Sequence, residues 1–179
     1  MGRLFSRAIE RAGLSELAER AFSGRGLDRE DLARLRDTDT LLLAGLADAV
    51  RERHRGDEVR LLGSEAARRT PDLLRLDLDA GRSDGPTGET LMREVALARL
   101  ATPCSSGIAV NFERLGLELA QTALAFGADA LFGDLGQKRV LPLLDGPAAR
   151  RLEITGLIER GGRRVRWVDV QAATLESRS

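Results

Sequence analysis

Few residues in this 179-residue chain are of the types that do chemistry: one cysteine, Cys104, and one histidine, His54. A single chain with that inventory cannot build a disulfide framework, a tetrahedral zinc site or a cysteine-held iron–sulfur cluster. Cys104 lies in Thr-Pro-Cys-Ser-Ser with no histidine nearby. It reads as an inert, buried thiol rather than a nucleophile at a strand entrance. His54 falls at the end of a predicted helix, where an imidazolium suits the dipole, and reads as a surface residue. No spacing suggests a triad of Cys104, His54 and an acid, so no catalytic residue, metal ligand or cofactor is assigned. Asn111, Asp129 and Asp134 are the candidate ligand-binding residues, against a plainer reading of the acids as turn and capping groups. Arg160, Arg163, Arg164 and Arg166 could meet a phosphate. Interleaved with Val165 and Trp167, they read better as a solvated strand face. Trp167, the only tryptophan, is expected in a core or an interface. Gly127, Gly133 and Gly136 do not form the dinucleotide fingerprint.

Composition bounds the partners. Basic and acidic residues number 28 each, giving a formal net charge of zero, and Lys138 is the only lysine. That balance argues against a nucleic-acid platform or an acidic tail. Hydrophobic residues make up 42%, and a chain of this length buries close to 70% of its unfolded surface without disulfides. The most apolar stretch, Thr40 to Val50, contains Asp48 and falls short of the roughly 20 residues of a membrane span. Glu10 and Glu16 interrupt the N-terminus before a signal-length apolar run. The expectation is a cytoplasmic protein with no membrane or nucleic-acid partner.

The elements that must position these residues follow from periodicity. A helix pair is predicted over Leu4 to Phe22, broken at Gly13, then a short helix capped by Asp28, then a helix over Thr40 to His54 capped by Thr38 or Asp39. Glu58 to Leu62 and Leu74 to Asp79 read as strands, the second by strict alternation. Gly81 to Gly88 reads as a loop, and Thr87 or Thr90 opens a helix to Leu100 that Pro103 ends. A strand at Ile108–Phe112, a helix at Glu113–Phe126 stopped by Gly127, an extended Ala130–Leu135, a helix at Ala148–Arg160 and a strand at Arg164–Val170 complete the pattern. No internal repeat is present. The expected fold is α/β, a helical N-terminal region (1–56) followed by an α/β domain (57–179) with a small, incomplete barrel-like sheet.

The run Ile108 to Leu135 resembles the late barrel segment of radical S-adenosylmethionine enzymes of the aminofutalosine synthase, dehypoxanthine futalosine synthase and deazaflavin-cofactor synthase group. The resemblance lies in Leu115-Gly116, Leu119-Ala120-Gln121, Ala123-Leu124, Phe126-Gly127-Ala128-Asp129 and Gly133. Phe112 stands for the family's tryptophan. Pro86-Thr87-Gly88 and Leu91 to Leu100 are similar to an upstream helix, Ile154 to Asp169 to the terminal helix and Gly-Arg turn, and Leu27 to Leu62 to the leader helices and first strand. Ala130, Phe132, Asp134 and Val168 depart from the family's residues.

The family's first strand leads into a Cys-x3-Cys-x2-Cys loop that holds a four-iron cluster. Here Leu62-Gly63 leads through Ser64–Pro71 to the Leu74 strand without a cysteine, so the resemblance implies that the middle strands of a full barrel are missing. The resemblance therefore implies a truncated, non-catalytic relative that binds a small ligand or a protein partner, with a link to menaquinone biosynthesis by the futalosine pathway. Asp129 and Asp134 would line the open end of the partial barrel. An abbreviated barrel exposes strand edges, so self-association or pairing with a full-length relative is expected. The alternative is a subunit contributing in trans to a cluster-bearing enzyme of quinone or deazaflavin biosynthesis.

Overall fold

The computed structural model describes residues 3–80, 85–135 and 147–168. Four helices come first: α1 (Arg3–Arg11), α2 (Ser15–Phe22), α3 (Arg29–Leu35) and α4 (Thr40–Arg55). Two start where short acidic side chains satisfy free backbone N–H groups. Asp28 accepts from the Asp31 amide, and Asp39 from those of Leu41 and Leu42. α2 begins at Ser15 behind Leu14, without a side-chain cap.

Strands and helices then alternate as β1 (Glu58–Gly63), α5 (Ser64–Arg69), β2 (Leu73–Leu76), α6 (Gly88–Ala101), β3 (Gly107–Asn111), α7 (Phe112–Leu115), α8 (Leu117–Ala125), β4 (Ala130–Gly133), α9 (Pro147–Arg160) and β5 (Arg164–Val168). The predicted helix over Glu113–Phe126 is two helices. Gly116, at φ +80°, turns the chain between α7 and α8, and Asn111 caps the first of them. The predicted Leu74–Asp79 strand is shorter, because β2 is an edge with one neighbour and its pairing covers four residues. Part of the Gly81–Gly88 loop, and Asp169 and Val170 of the last predicted strand, lie outside the described residues.

The five strands are parallel in the order β2-β3-β4-β1-β5. Among the described residues the sheet is open, with β2 and β5 as edges, so the fold is α/β with a helical N-terminal part and no closed barrel. One face carries Val59, Leu61, Ile108, Val110 and Leu131 into the main core, shared with Leu17 of α2, Leu43 and Leu46 of α4, Val95 of α6, Leu124 of α8 and Ile154 and Ile158 of α9. The opposite face carries a smaller cluster among the described residues. There Ala66 and Ala67 of α5 pack on Leu62, Leu73, Ala109, Ala130 and Phe132.

Alternation sends Arg60 to that second face, away from Val59 and Leu61. Register places Arg75, Ala109, Ala130, Arg60 and Arg166 in one row across the sheet. The two alanines leave room for long side chains to lie along the sheet between the arginines.

Candidate functional site

A pocket of about 300 Å³ opens at the amino end of the sheet, lined by His54, Arg55, Glu58, Arg60, Asp72, Asp129 and Arg166. The end of α4 supplies His54 and Arg55, β1 supplies Glu58 and Arg60, the turns before β2 and β4 supply Asp72 and Asp129, and β5 supplies Arg166. His54 Nε2 donates to the Phe22 carbonyl at 3.0 Å, fixing the imidazole over the turn that follows α2. Gly24, at φ +74°, lies beneath that ring, where a Cβ would come within 2.7 Å of Cε1.

Asp129 anchors the floor. Its Oδ1 accepts from Arg99 Nη2 at 2.7 Å and from the Ile108 amide at 2.6 Å, and its Oδ2 accepts from Arg55 Nε at 2.8 Å. Arg99 is withdrawn from solvent, and its other nitrogens donate to the Gly127 and Ser106 carbonyls. Burial lowers the Arg99 pKa, and the Asp129 carboxylate opposes that shift.

Arg60 is held less completely. Nη1 donates to Asp72 Oδ2 at 3.1 Å, and Nη2 approaches Asp129 Oδ2 at 3.6 Å, beyond hydrogen-bond reach. Nε and Nη2 are buried without a hydrogen-bond partner. The guanidinium crosses β4 to lie over Gly107, where a Cβ would fall 1.8 Å from Nη2. Arg166 meets Glu58 at 3.5 Å on the rim.

The three residues expected to bind ligand do not share one site. Asp129 and Asp134 sit at opposite ends of β4, so the two acids cannot line one open end. Asp129 precedes the strand and is buried in the pocket floor. Asp134 follows it and donates its amide to Glu113 Oε2 at 2.8 Å. Asn111 lies at the same carboxyl end as Asp134, but its side chain accepts from the Glu113 and Arg114 amides as the cap of α7. Arg55, Arg60 and Asp72 were not singled out by sequence. The available signal was a charged residue at the centre of the Glu58–Leu62 alternation.

Of the C-terminal arginines, Arg164 pairs on the surface with Asp57, holding that carboxyl below its usual range, and Arg166 pairs with Glu58. Arg163 differs from a solvated face: it is largely buried, bonded to Asp48, and burial lowers its pKa. Cys104 is buried, which raises its pKa while the neighbouring Arg99 opposes that rise. Trp167 is 43% exposed on the β5 edge, with the Arg151 guanidinium 5.4 Å from its ring centre.

Among the described residues no group of three or more His, Cys, Asp or Glu side chains is placed to hold a metal ion, and no helix is long and apolar enough to cross a membrane. No family model, no curated protein and no solved structure matches the chain.

Proposed function

We propose that this chain is a ligand-binding domain built from the first and last strands of a radical S-adenosylmethionine-type barrel. It works without an iron–sulfur cluster of its own, because one cysteine cannot replace three cluster thiolates. The observation that carries the reading is the adjacency of β4 and β1. In a β/α barrel each strand lies beside the next in sequence and the last closes on the first. The run β2-β3-β4-β1 repeats that cyclic order with the middle strands left out. β5 takes the place of the barrel's second strand, and α5 fills the face that would look into the barrel. Among the described residues a polar pocket opens at the amino end, and the activity proposed is binding of a small polar ligand there. A connection to menaquinone formation is part of the same proposal and rests on the resemblance alone.

Among the described residues one edge of β2 has no neighbouring strand, which favours one second reading, a subunit acting in trans. The missing barrel strands would adjoin that edge, and it presents Leu74, 41% exposed. Co-purification with a cluster-bearing relative would support the second reading, and a stable monomer in the presence of that protein would remove it.

Two measurements test the main proposal. Anaerobic reconstitution with iron, sulfide and S-adenosylmethionine should give neither iron–sulfur absorption nor 5′-deoxyadenosine. A thermal-shift panel of small polar metabolites should return a compound that raises Tm by roughly 5–10 °C at a hundredfold excess over Kd. A bound cluster, or a panel with no stabilising compound, would overturn it.

A further inference from the structure

We propose that the amino-end pocket is a site for a small oxyanion, a phosphate or a dicarboxylate, held between Arg55 and Arg60. The assignment rests on the reading of the chain as a ligand-binding domain and names its ligand class. Four guanidinium groups converge here, those of Arg55, Arg60, Arg99 and Arg166, against three carboxylates, Glu58, Asp72 and Asp129. Arg99 and the Ile108 amide saturate one oxygen of Asp129, and Arg55 takes the other through Nε alone. The terminal nitrogens of Arg55 remain for a ligand at the pocket wall. Arg60 has one hydrogen bond, to the half-exposed carboxylate of Asp72, and two buried nitrogens without a partner. Asp129 Oδ2 lies 3.6 Å from Nη2, near enough to attract but not to accept a hydrogen bond, so the buried guanidinium keeps an unmet desolvation cost that a further anion in the adjoining cavity would offset.

Asp72 now occupies the position a ligand carboxylate or phosphate would take on Arg60 Nη1. A guanidinium binds either oxyanion through the same planar fork. The cavity of about 300 Å³ accommodates phosphate or a short dicarboxylate with water. Asp72 and the ligand then compete for one donor, and weakening Asp72 should strengthen binding.

The test is calorimetric titration of the full chain with inorganic phosphate and, separately, with malonate, in chloride buffer of low ionic strength. One or both should bind at a stoichiometry of one. Asp72→Asn should tighten binding several-fold, and Arg55→Gln should weaken it about tenfold, the loss of one charge-assisted contact. Asp72 is half exposed, so its variant keeps the test alive if Arg55→Gln folds poorly. Preference for phosphate points to a phosphorylated ligand, and preference for malonate to a dicarboxylate. Absence of binding, or equal binding by wild type and Asp72→Asn, overturns the assignment. If both anions fail while the metabolite panel returns a neutral or cationic ligand, the anion class falls and the domain reading stands.

Discussion

The Arg99 guanidinium donates to the Asp129 carboxylate across 2.7 Å at the amino end of β4, and both side chains are cut off from solvent. Every oxygen of that carboxylate is occupied, from α4, α6 and β3 at once. The pair therefore ties the helical layer to the sheet, and its removal leaves an uncompensated buried charge rather than a lost surface contact. Asp129→Ala should cost about 3–5 kcal/mol, lowering Tm by roughly 10 °C. Arg99→Met should cost a similar amount, and the double variant less than the two together, because each single change strands the other's charge. Additive losses in urea titrations would show that the two residues act independently.

Gly107 and Arg60 form a second coupled pair. A Cβ at position 107 would fall 1.8 Å from Arg60 Nη2 and 3.0 Å from Leu73 Cδ1. The guanidinium can yield because it is the end of a flexible side chain, and the leucine less so. Gly107→Ala should therefore cost about 1–3 kcal/mol in the wild-type background and noticeably less beside Arg60→Met, where the obstructing fork is gone. A double-mutant cycle by chemical unfolding measures the difference, and equal costs in both backgrounds would place the strain on Leu73 instead.

The contrast between these sites and the rest of the chain shows which information is local. Asp28 caps α3 as expected, and Asp39 and Thr87 are the caps from the pairs Thr38 or Asp39 and Thr87 or Thr90, since capping needs only a short acceptor at the right offset. β3 was legible as a short apolar run between Pro103 and a helix. β2 read as longer than it is because alternation reports two faces and not how many neighbours pair with a strand. The misplacement of Asp129 and Asp134 has the same origin. They are close in sequence, yet the strand between them carries them to opposite ends of the sheet. The amino-end pocket draws on α4, β1, β5 and two turns, so its charges meet only through strand order, which no local spacing encodes. Arg60 was visible as a charge inside an apolar strand, but its partner Asp72 was not.

Cys104 should report burial through pH. Burial raises its pKa, so the native thiol holds its proton at pH values where the unfolded chain, near 8.5, has lost it. The folded state gains most below the unfolded value, and that stability is lost as pH rises through the raised native one. Wild-type urea midpoints should fall between pH 8 and 10 more steeply than those of Cys104→Ala. Iodoacetamide should label the native thiol far more slowly than the urea-unfolded one. Parallel midpoint curves for the two proteins would mean that the thiolate is tolerated beside Arg99.

The docking of α1 depends on the absence of a side chain at Gly45. In the middle of α4, alanine is the better helix former by about 1 kcal/mol, which alone would make Gly45→Ala stabilising. A Cβ there would come within 2.5 Å of Phe5 Cε2 and 3.1 Å of Cζ, so the ring must move and presses on the helix that carries it. The propensity gain applies whether α1 is docked or not, because α4 is helical in both states, and so it cannot offset the clash. The docked state alone bears an overpacking cost of about 1–3 kcal/mol. Hydrogen exchange of residues 3–11 should then accelerate roughly tenfold or more, each 1.4 kcal/mol corresponding to a factor of ten. Amides of α4 beyond Gly45 should keep or gain protection. Unchanged exchange in α1 would mean that the Phe5 ring relaxes within its own pocket and that α1 is held by its contacts with α2.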